Sequence, residues 1–160
     1  MNNLEDKGLA KQIVSIKKVL VAVDLSHHSE ATAFYAAGIA NQFGASLTIV
    51  HVYEPVPLSE YTCESTFTLL DNQHDCLEKI LEEIAKKVRR LGVSSDSFFL
   101  VGEPAGKISG LAREIDADLI VTASHHLTFL GRLFNLDKAP QIMHQAPCPV
   151  LVYHEKKAYM

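Results

Sequence analysis

The sequence is short of cysteine, and the three cysteines that it contains, Cys63, Cys76 and Cys148, follow no regular spacing. A disulfide framework uses paired cysteines in a small secreted chain. This chain has an odd number of cysteines, and it is long enough to bury a core without covalent staples. The pattern therefore indicates a reducing compartment, and we expect a cytoplasmic protein.

Long apolar runs and blocks of positive charge are also missing. No stretch approaches the roughly 18 apolar residues of a membrane span, and residues 1–16 lack the apolar block of a secretory signal. The chain has 15 Lys and Arg against 19 Asp and Glu, which gives a net charge of -4. Because a nucleic-acid-binding protein usually carries a clustered basic patch, we expect neither nucleic acid nor a membrane as a partner.

Glycine and proline show no period, which excludes a fibrous repeat. The chain has 160 residues, of which 48% are hydrophobic and 21% are charged, and this composition is typical of a single globular domain. We therefore expect one domain with one sizeable core.

Short β-branched runs alternate with longer stretches of helical period along the chain. This alternation is typical of βαβ units, whose right-handed crossovers build one doubly wound parallel sheet in an α/β fold. The predicted strands are Lys18–Leu25, Leu47–Tyr53, Ser97–Val101, Leu119–Ala123 and Pro149–Tyr153. The first strand is apolar nearly throughout, as expected of a central strand that is covered on both faces.

Four helices are predicted between these strands. The first follows Ser26, a suitable N-cap, and ends at Gly44, and the last is a short helix over 139–145. A third helix follows the turn at 102–104. The second and longest helix carries one apolar stripe, formed by Leu77, Ile80, Leu81, Ile84, Val88 and Leu91.

A family resemblance is carried by five segments taken together: KKVLVAVDLS at 17–26, LTIVHVY at 47–53, VGEPAGKI at 101–108, ADLIVTASHH at 117–126 and QAPCPVLVY at 145–153. Over this stretch the sequence resembles the universal stress protein family. The resemblance implies a Rossmann-like, HUP-type sheet of five parallel strands in the order 3-2-1-4-5. It also implies a family domain over 17–154, with an N-terminal extension at 1–16 and a C-terminal tail at 155–160.

The same resemblance implies a homodimer formed through the last strand, at Pro149, Val150, Leu151 and Val152. In the implied strand order this segment is an edge, which would expose unpaired backbone groups and apolar side chains. Antiparallel pairing with a second copy would satisfy the backbone and bury both valine rows. The sequence names no other protein partner.

Many members of the family bind ATP at the carboxyl edge of strands one and four, which is the switch point of the sheet. The resemblance places the nucleoside contacts at Asp24, at the end of the first strand, and at Val50, whose backbone would meet adenine. Both positions match the family.

The phosphate positions depart from the family pattern. That pattern is Gly-x-x-Gly, nine further residues, and then Gly followed by Ser or Thr, because glycine lets backbone donors approach an anion. The matching positions here are Ala123, His126, Leu136 and Asp137. Two bulky side chains and a negative charge oppose a polyphosphate, so we interpret the site as vestigial and expect no cofactor. The pair His125-His126 resembles the UspA-like branch, whose members do not bind ATP.

Two motifs suggest chemistry but have simpler interpretations. GEPAGK at 102–107 has three residues between its glycines where a P-loop needs four, and Ile108 follows where Ser or Thr should, so a turn that begins a helix is favoured. Cys148 and His144 could form a nucleophile with its base, but no third group or acceptor site accompanies them. We interpret Cys148 as a small buried thiol and expect no catalytic residues.

Histidine pairs follow two neighbouring strands, at His27-His28 and at His125-His126, and both pairs fall at the edge that carries Asp24. Imidazoles with a carboxylate can bind Zn, Ni or Cu, but no recognised ligand spacing is present. A solvated or hydrogen-bonded pair is the favoured interpretation, and we expect no metal. For Asp24 two roles stay open, a ligand for a nucleoside and a cap for the helix that follows it.

The favoured function is that of a dimeric, cytoplasmic stress-response protein that acts without catalysis and without a nucleotide. The alternative is a universal stress protein that binds ATP or another adenine nucleotide, with weak or no ATPase activity. A metal-dependent sensor built on the four histidines is a third hypothesis.

Overall fold

Strands and helices alternate along the chain. The structure is a computed structural model, and it describes residues 14–54, 64–123 and 139–154, with the backbone alone for 64–73. The elements are β1 (Lys18–Ala22), α1 (Ser29–Phe43), β2 (Ser46–Tyr53), α2 (Glu64–Arg90), β3 (Ser95–Val101), α3 (Pro104–Glu114), β4 (Leu119–Ala123), α4 (Ala139–Gln145) and β5 (Val150–Tyr153). The alternation confirms the predicted α/β class, and the bounds of β4 and α4 are those predicted.

The five strands form one sheet in which all neighbouring strands are parallel. Their order is β3-β2-β1-β4-β5, as the family resemblance implies. β1 lies at the centre, where Val21 pairs with Ile49 of β2 on one side and with Val121 of β4 on the other. Helices cover both faces, and β1 is therefore buried from Val19 to Ala22.

Successive side chains of β1 point to opposite faces of the sheet and enter two separate cores. Val19 and Val21 pack with α1 and α2, whereas Leu20 and Ala22 pack with α3 and α4. On the first face, α1 contributes a row of small side chains that lets its backbone approach the sheet closely: Ala33, Ala36, Ala37 and Ala40.

The amino end of β1 is bonded to the segment just before β4. One carboxylate oxygen of Asp118 accepts the backbone N–H groups of Lys17 at 2.8 Å and of Lys18 at 3.0 Å. The ammonium group of Lys18 donates to the carbonyl of Ile115 at 2.8 Å. These bonds join parts of the chain that are about 100 residues apart, and they align β1 with β4 at its amino end.

The predicted start of α1 is wrong. The helix begins at Ser29 with His28 as its N-cap, and the side chain of His28 makes no capping hydrogen bond. Ser26, the expected N-cap, belongs instead to the turn before the helix, where its hydroxyl accepts the backbone N–H of His28 at 3.3 Å. The predicted end is confirmed, because Gly44 adopts a left-handed conformation (φ 65°) that suits glycine at a helix C-terminus.

The apolar stripe of α2 is narrower than predicted. Leu81, Ile84 and Val88 are buried, but Ile80 is exposed and the fully buried Ala85 lies in the stripe instead. Leu91 is also exposed, since α2 ends at Arg90 and the chain turns there. Among the described helices, α2 included, none is both long enough and apolar enough to cross a bilayer.

Four predicted strand ends shift in the structure. β1 stops at Ala22, three residues before the predicted end, while β2 and β3 begin slightly earlier, at Ser46 and Ser95, because these residues still pair with the neighbouring strand. β5 begins at Val150 rather than at Pro149, which has no N–H to donate. The carbonyl of Pro149 nevertheless accepts the N–H of Ile120 at 3.0 Å.

The turn at 102–104 begins a helix, as predicted for the GEPAGK segment. Glu103 is the N-cap of α3, and its carboxylate accepts the N–H groups of Ala105 at 2.8 Å and Gly106 at 2.6 Å. Gly102 has φ 142°, and a Cβ placed on it would lie 2.7 Å from the side chain of Lys107. The amides that would hold a phosphate in a P-loop are thus occupied by the chain's own carboxylate.

Replacing Glu103 with Ala should lower the free energy of unfolding by about 1 kcal/mol, because two amides at the start of α3 lose their acceptor. Urea denaturation followed by circular dichroism measures this change. Glu114→Ala, an exposed carboxylate at the other end of the same helix, is the matched control and should change stability by about 0.5 kcal/mol or less. Equal effects of the two substitutions would contradict the capping role.

Candidate functional site

Three of the predicted site positions meet at the carboxyl edge of the sheet. Ala22 at the end of β1 pairs with Val50 of β2 on one side and with Thr122 of β4 on the other. Asp24 follows β1 by two residues, and Ala123 ends β4. Since β1 connects to β2 and its other neighbour is β4, this edge is the switch point where ligands bind in open α/β sheets. The fourth predicted position, His126, lies outside the described residues.

The segment 23–29, which we call the carboxyl-edge turn, carries Asp24 away from the sheet. One carboxylate oxygen of Asp24 accepts the backbone N–H of Ser26 and the hydroxyl of the buried Ser29, each at 3.0 Å. Leu25 has φ 61°, a left-handed conformation that is uncommon for a leucine. The Asp24 carboxylate therefore organises the turn before α1, but these two bonds reach no backbone N–H of the helix, whose N-cap is His28.

Val50 is fully buried, and its backbone continues the sheet. Its carbonyl accepts the N–H of Val23 at 2.9 Å, one residue beyond the end of β1. The position at which the family's backbone would meet adenine is thus adjacent to the start of the carboxyl-edge turn.

The next residue of β2, His51, bonds the carbonyl of Val23. Its Nδ1 lies 2.9 Å from the carbonyl oxygen of Val23, and because a carbonyl can only accept, Nδ1 carries the hydrogen. The side chain is only 9% exposed. Burial lowers the pKa of His51, although the hydrogen bond to Val23 and the carboxylate of Asp24 both favour the charged ring.

An aromatic cluster packs beside His51 on the α2 face of the sheet. The ring centroid of Phe99 lies 5.5 Å from that of His51 and 5.8 Å from that of His74 on α2. Tyr53 meets His74 edge to face at 4.4 Å. The Nε2 atom of His74 is buried, and no hydrogen-bond partner for it lies among the residues that the structure describes. We define the aromatic cluster as His51, Tyr53, His74 and Phe99.

Sequence reasoning missed this cluster because its members come from β2, β3 and α2, which only the tertiary structure brings together. One signal was available. His51 is a polar residue in the mostly apolar second half of β2, at a position whose neighbours along the strand, Ile49 and Tyr53, share its face. A polar side chain there needs a buried hydrogen-bond partner, and the structure supplies the carbonyl of Val23.

The first predicted histidine pair lies in the carboxyl-edge turn. The rings of His27 and His28 are in contact, with centroids 3.7 Å apart and planes tilted by 45°. His27 also borders a groove of about 340 Å³ between α1 and α2, lined by Ser26, His27, Glu30, Cys76, Lys79, Ile80, Glu83 and Ile84. Within the described ranges, no three His, Cys, Asp or Glu side chains are arranged to hold a metal ion. The second histidine pair, His125 and His126, lies outside those ranges, so the four-histidine sensor stays a hypothesis.

Cys148 is a half-buried free thiol that packs against the core under α3 and α4. Burial raises its pKa, and the carboxylate of Asp118 adds to the rise, while a hydrogen bond with the backbone of Ile120 acts in the opposite direction. A catalytic thiol needs the reverse shift, so the environment favours the packing role over a pairing with His144.

A doubly wound parallel sheet in this order, with its switch point between β1 and β4, defines a Rossmann-like α/β protein. The model of the universal stress protein family matches residues 15–154. A universal stress protein from Thermus aquaticus is 36% identical over 142 residues, which cover 85% of this chain and 97% of that protein. The chain therefore belongs to the universal stress protein family.

Solved structures show the same fold. A universal stress protein in complex with cAMP matches with a TM-score of 0.66 at 25% identity, covering 88% of this chain and 98% of that one. UspA from Lactobacillus plantarum matches with a TM-score of 0.73 at 22% identity, covering 87% of this chain and 98% of that one.

The two described cysteines should differ in reactivity. Cys76 is exposed, whereas Cys148 is half-buried with a raised pKa, so iodoacetamide should alkylate Cys148 at least about tenfold more slowly near neutral pH. Quenched time points analysed by peptide mass spectrometry give both rates in one experiment. The rates should converge in urea, and equal rates in the native protein would disprove the assignment of Cys148 as a packed thiol.

Proposed function

We propose that this universal stress protein acts without catalysis and does not bind ATP tightly. The observation that carries the proposal is the replacement of the family's phosphate-binding glycines by His126 and Leu136 in the sequence, with Asp137 after them. The carboxyl-edge turn supports it, since an oxygen of the Asp24 carboxylate is already bonded to Ser26 and Ser29. The cysteine content favours a cytoplasmic setting.

Adenine-nucleotide binding is the second candidate function. It is favoured by the related universal stress protein that was solved in complex with cAMP. A ligand with a single phosphate needs less of the glycine-rich cradle than ATP does. The positions of the nucleoside contacts, Asp24 and Val50, lie together at the switch point in this chain.

Calorimetric titration separates the two functions. The dissociation constant for ATP should be about 1 mM or larger, equivalent to a binding free energy no more favourable than about -4 kcal/mol. The reason is that bulky side chains and a carboxylate stand where the phosphates need backbone donors. Titrations with AMP and cAMP test the second candidate on the same sample. A micromolar constant for ATP, or ATP that co-purifies with the protein, would overturn the proposal.

A gain-of-binding variant provides the matched control. Ala123→Gly, His126→Gly, Leu136→Gly and Asp137→Ser together restore the family's phosphate pattern. If the lost pattern accounts for the absence of tight binding, this variant should bind ATP more tightly than the parent chain. Identical dissociation constants for ATP in the two proteins would mean that the glycine positions do not decide binding.

We also infer that the chain forms a homodimer through β5. β5 is the edge strand beside β4, and all four of its residues are half-buried in the single chain. Tyr153 on β5 stacks on the exposed Tyr35 of α1 with ring centroids 4.6 Å apart, which extends the apolar edge. Antiparallel pairing of Pro149–Val152 with a second copy would give hydrogen-bond partners to the backbone groups of the edge strand. The resulting twofold assembly is complete with two chains.

Val150→Lys should weaken dimerisation by at least about tenfold, because a charge replaces a valine at the centre of the paired edges. Analytical ultracentrifugation at micromolar concentration measures the change, and circular dichroism verifies folding. Val101→Lys is the matched control, since Val101 is an exposed valine on β3, the opposite edge of the sheet. A stable monomer in the parent protein, or equal association of both variants, would rule out the β5 interface.

A further inference from the structure

We propose that the side of α1 that faces β5 is a second part of the contact between two copies of this chain. This contact rests on the proposed β5 dimer and adds to it, since that dimer assigns the pairing to the edge strand only. It is formed by five residues, which we call the α1–β5 patch: Tyr35, Ile39 and Phe43 of α1 with Leu151 and Tyr153 of β5.

The composition of α1 is unusual for a helix on the outside of a domain. Glu30 is the only charged residue among its 15 residues. By contrast, α2 packs on the same face of the sheet and exposes charged side chains such as Glu83, Lys86 and Arg90. Few charges together with accessible aromatic side chains are typical of the core of a protein–protein interface. Tyr35 is 44% exposed in the single chain, so α1 has the composition of a helix that another chain covers.

Three apolar side chains of α1 share one side of the helix. Tyr35, Ile39 and Phe43 are spaced at intervals of four residues, which places them one above another. Phe43 is 50% exposed, while Ile39 is partly buried against the core. The rings of Tyr35 and Tyr153 stack with centroids 4.6 Å apart, and this contact shows that Tyr35 lies on the side of α1 that faces β5.

This side of α1 runs along β5. The helix connects two parallel strands and therefore runs opposite to the strand direction. Four helical residues advance about 6 Å, and two strand residues advance about 6.6 Å, so the step from Tyr35 to Ile39 matches the step from Tyr153 back to Leu151. Ile39, Leu151 and Tyr153 also pack against the same core. The patch is therefore continuous with the edge strand.

The edge strand alone is small for a stable interface. β5 has four residues, which span about 13 Å, whereas a stable protein–protein interface buries about 800 Å² on each partner. Pairing of two such strands supplies only part of this area. A fully buried aromatic side chain contributes about 150–250 Å², so the aromatic side chains of the patch can supply much of the remainder.

Twofold symmetry brings two copies of the patch together. Antiparallel pairing of β5 with a second β5 requires an axis perpendicular to the sheet, so the α1 sides of both chains face the same way. Directly opposite residues of paired strands also share a face. Leu151 and Tyr153 would therefore meet the same row of a second copy, and the Tyr35 ring stacked on Tyr153 would lie beside that junction.

Analytical ultracentrifugation of two neighbouring variants tests the role of α1. Tyr35→Glu should raise the dimer dissociation constant at least about tenfold, because a charge would be buried at the contact. Phe34→Glu is the matched control, since Phe34 is similarly exposed, at 37%, but lies on another side of α1. That side faces α2, because Glu30, one helical turn earlier, is paired with Lys87. Phe34→Glu should change the dissociation constant by no more than about twofold.

Photo-crosslinking tests the same contact without adding a charge. Benzoylphenylalanine at position 35 keeps an aromatic side chain there, and on irradiation it should form a covalent dimer that denaturing electrophoresis resolves. The same group at position 34 should give much less covalent dimer. Circular dichroism verifies the folding of every variant, and the crosslinking comparison decides if Tyr35→Glu does not fold.

The outcomes distinguish the α1 contact from the β5 pairing on which it rests. If Val150→Lys weakens association but the variants at positions 34 and 35 associate equally, or crosslink equally, the β5 pairing stands and the α1 contact is disproved. If Val150→Lys leaves the dimer intact, the β5 pairing fails, and crosslinking at position 35 but not 34 still supports the α1 contact. A parent chain that is monomeric at micromolar concentration overturns both.

Discussion

The geometry of the carboxyl edge depends on two hydrogen bonds of Val23, which belong to successive peptide groups. The N–H of Val23 continues the ladder of β1 with Val50, but its carbonyl is bonded to the ring of His51. At this residue the chain stops behaving as a strand and turns toward α1. This change of bonding partner at Val23 places Asp24 at the switch point of the sheet. The chain then turns into the alanine-rich helix α1, which packs over the central strands.

Much of the fold could be predicted because buried parallel strands are apolar at nearly every position, a pattern that β1 and β4 show clearly. Their alternation with helices identified the α/β class. The strand order could not be derived in this way, since periodicity does not say which strands are neighbours, and it came from the family resemblance. The start of α1 was less predictable. His28 is a poor capping residue by type, so a serine two positions earlier was the natural choice.

The site was predictable in part for a geometric reason. The carboxyl ends of parallel strands share one edge, so Asp24, Val50 and Ala123 were expected together, and the structure brings them together. The role of His51 was not predictable, because its partner Val23 is 28 residues away in the chain. The packing of Phe99 against both His51 and His74 is likewise a property of the tertiary structure.

The bonds between Asp118 and the amides of Lys17 and Lys18 have a consequence for synthesis on the ribosome. β1 is made early, yet its neighbour β4 and the carboxylate that aligns them follow about 100 residues later. At about 5–20 residues per second, the ribosome needs roughly 5–20 s to supply them. During that interval β1 can pair with β2 on one side only. The backbone groups on its other side, which later bond β4, have no partner strand. The nascent chain is therefore most prone to aggregation before residue 119 has emerged from the ribosome.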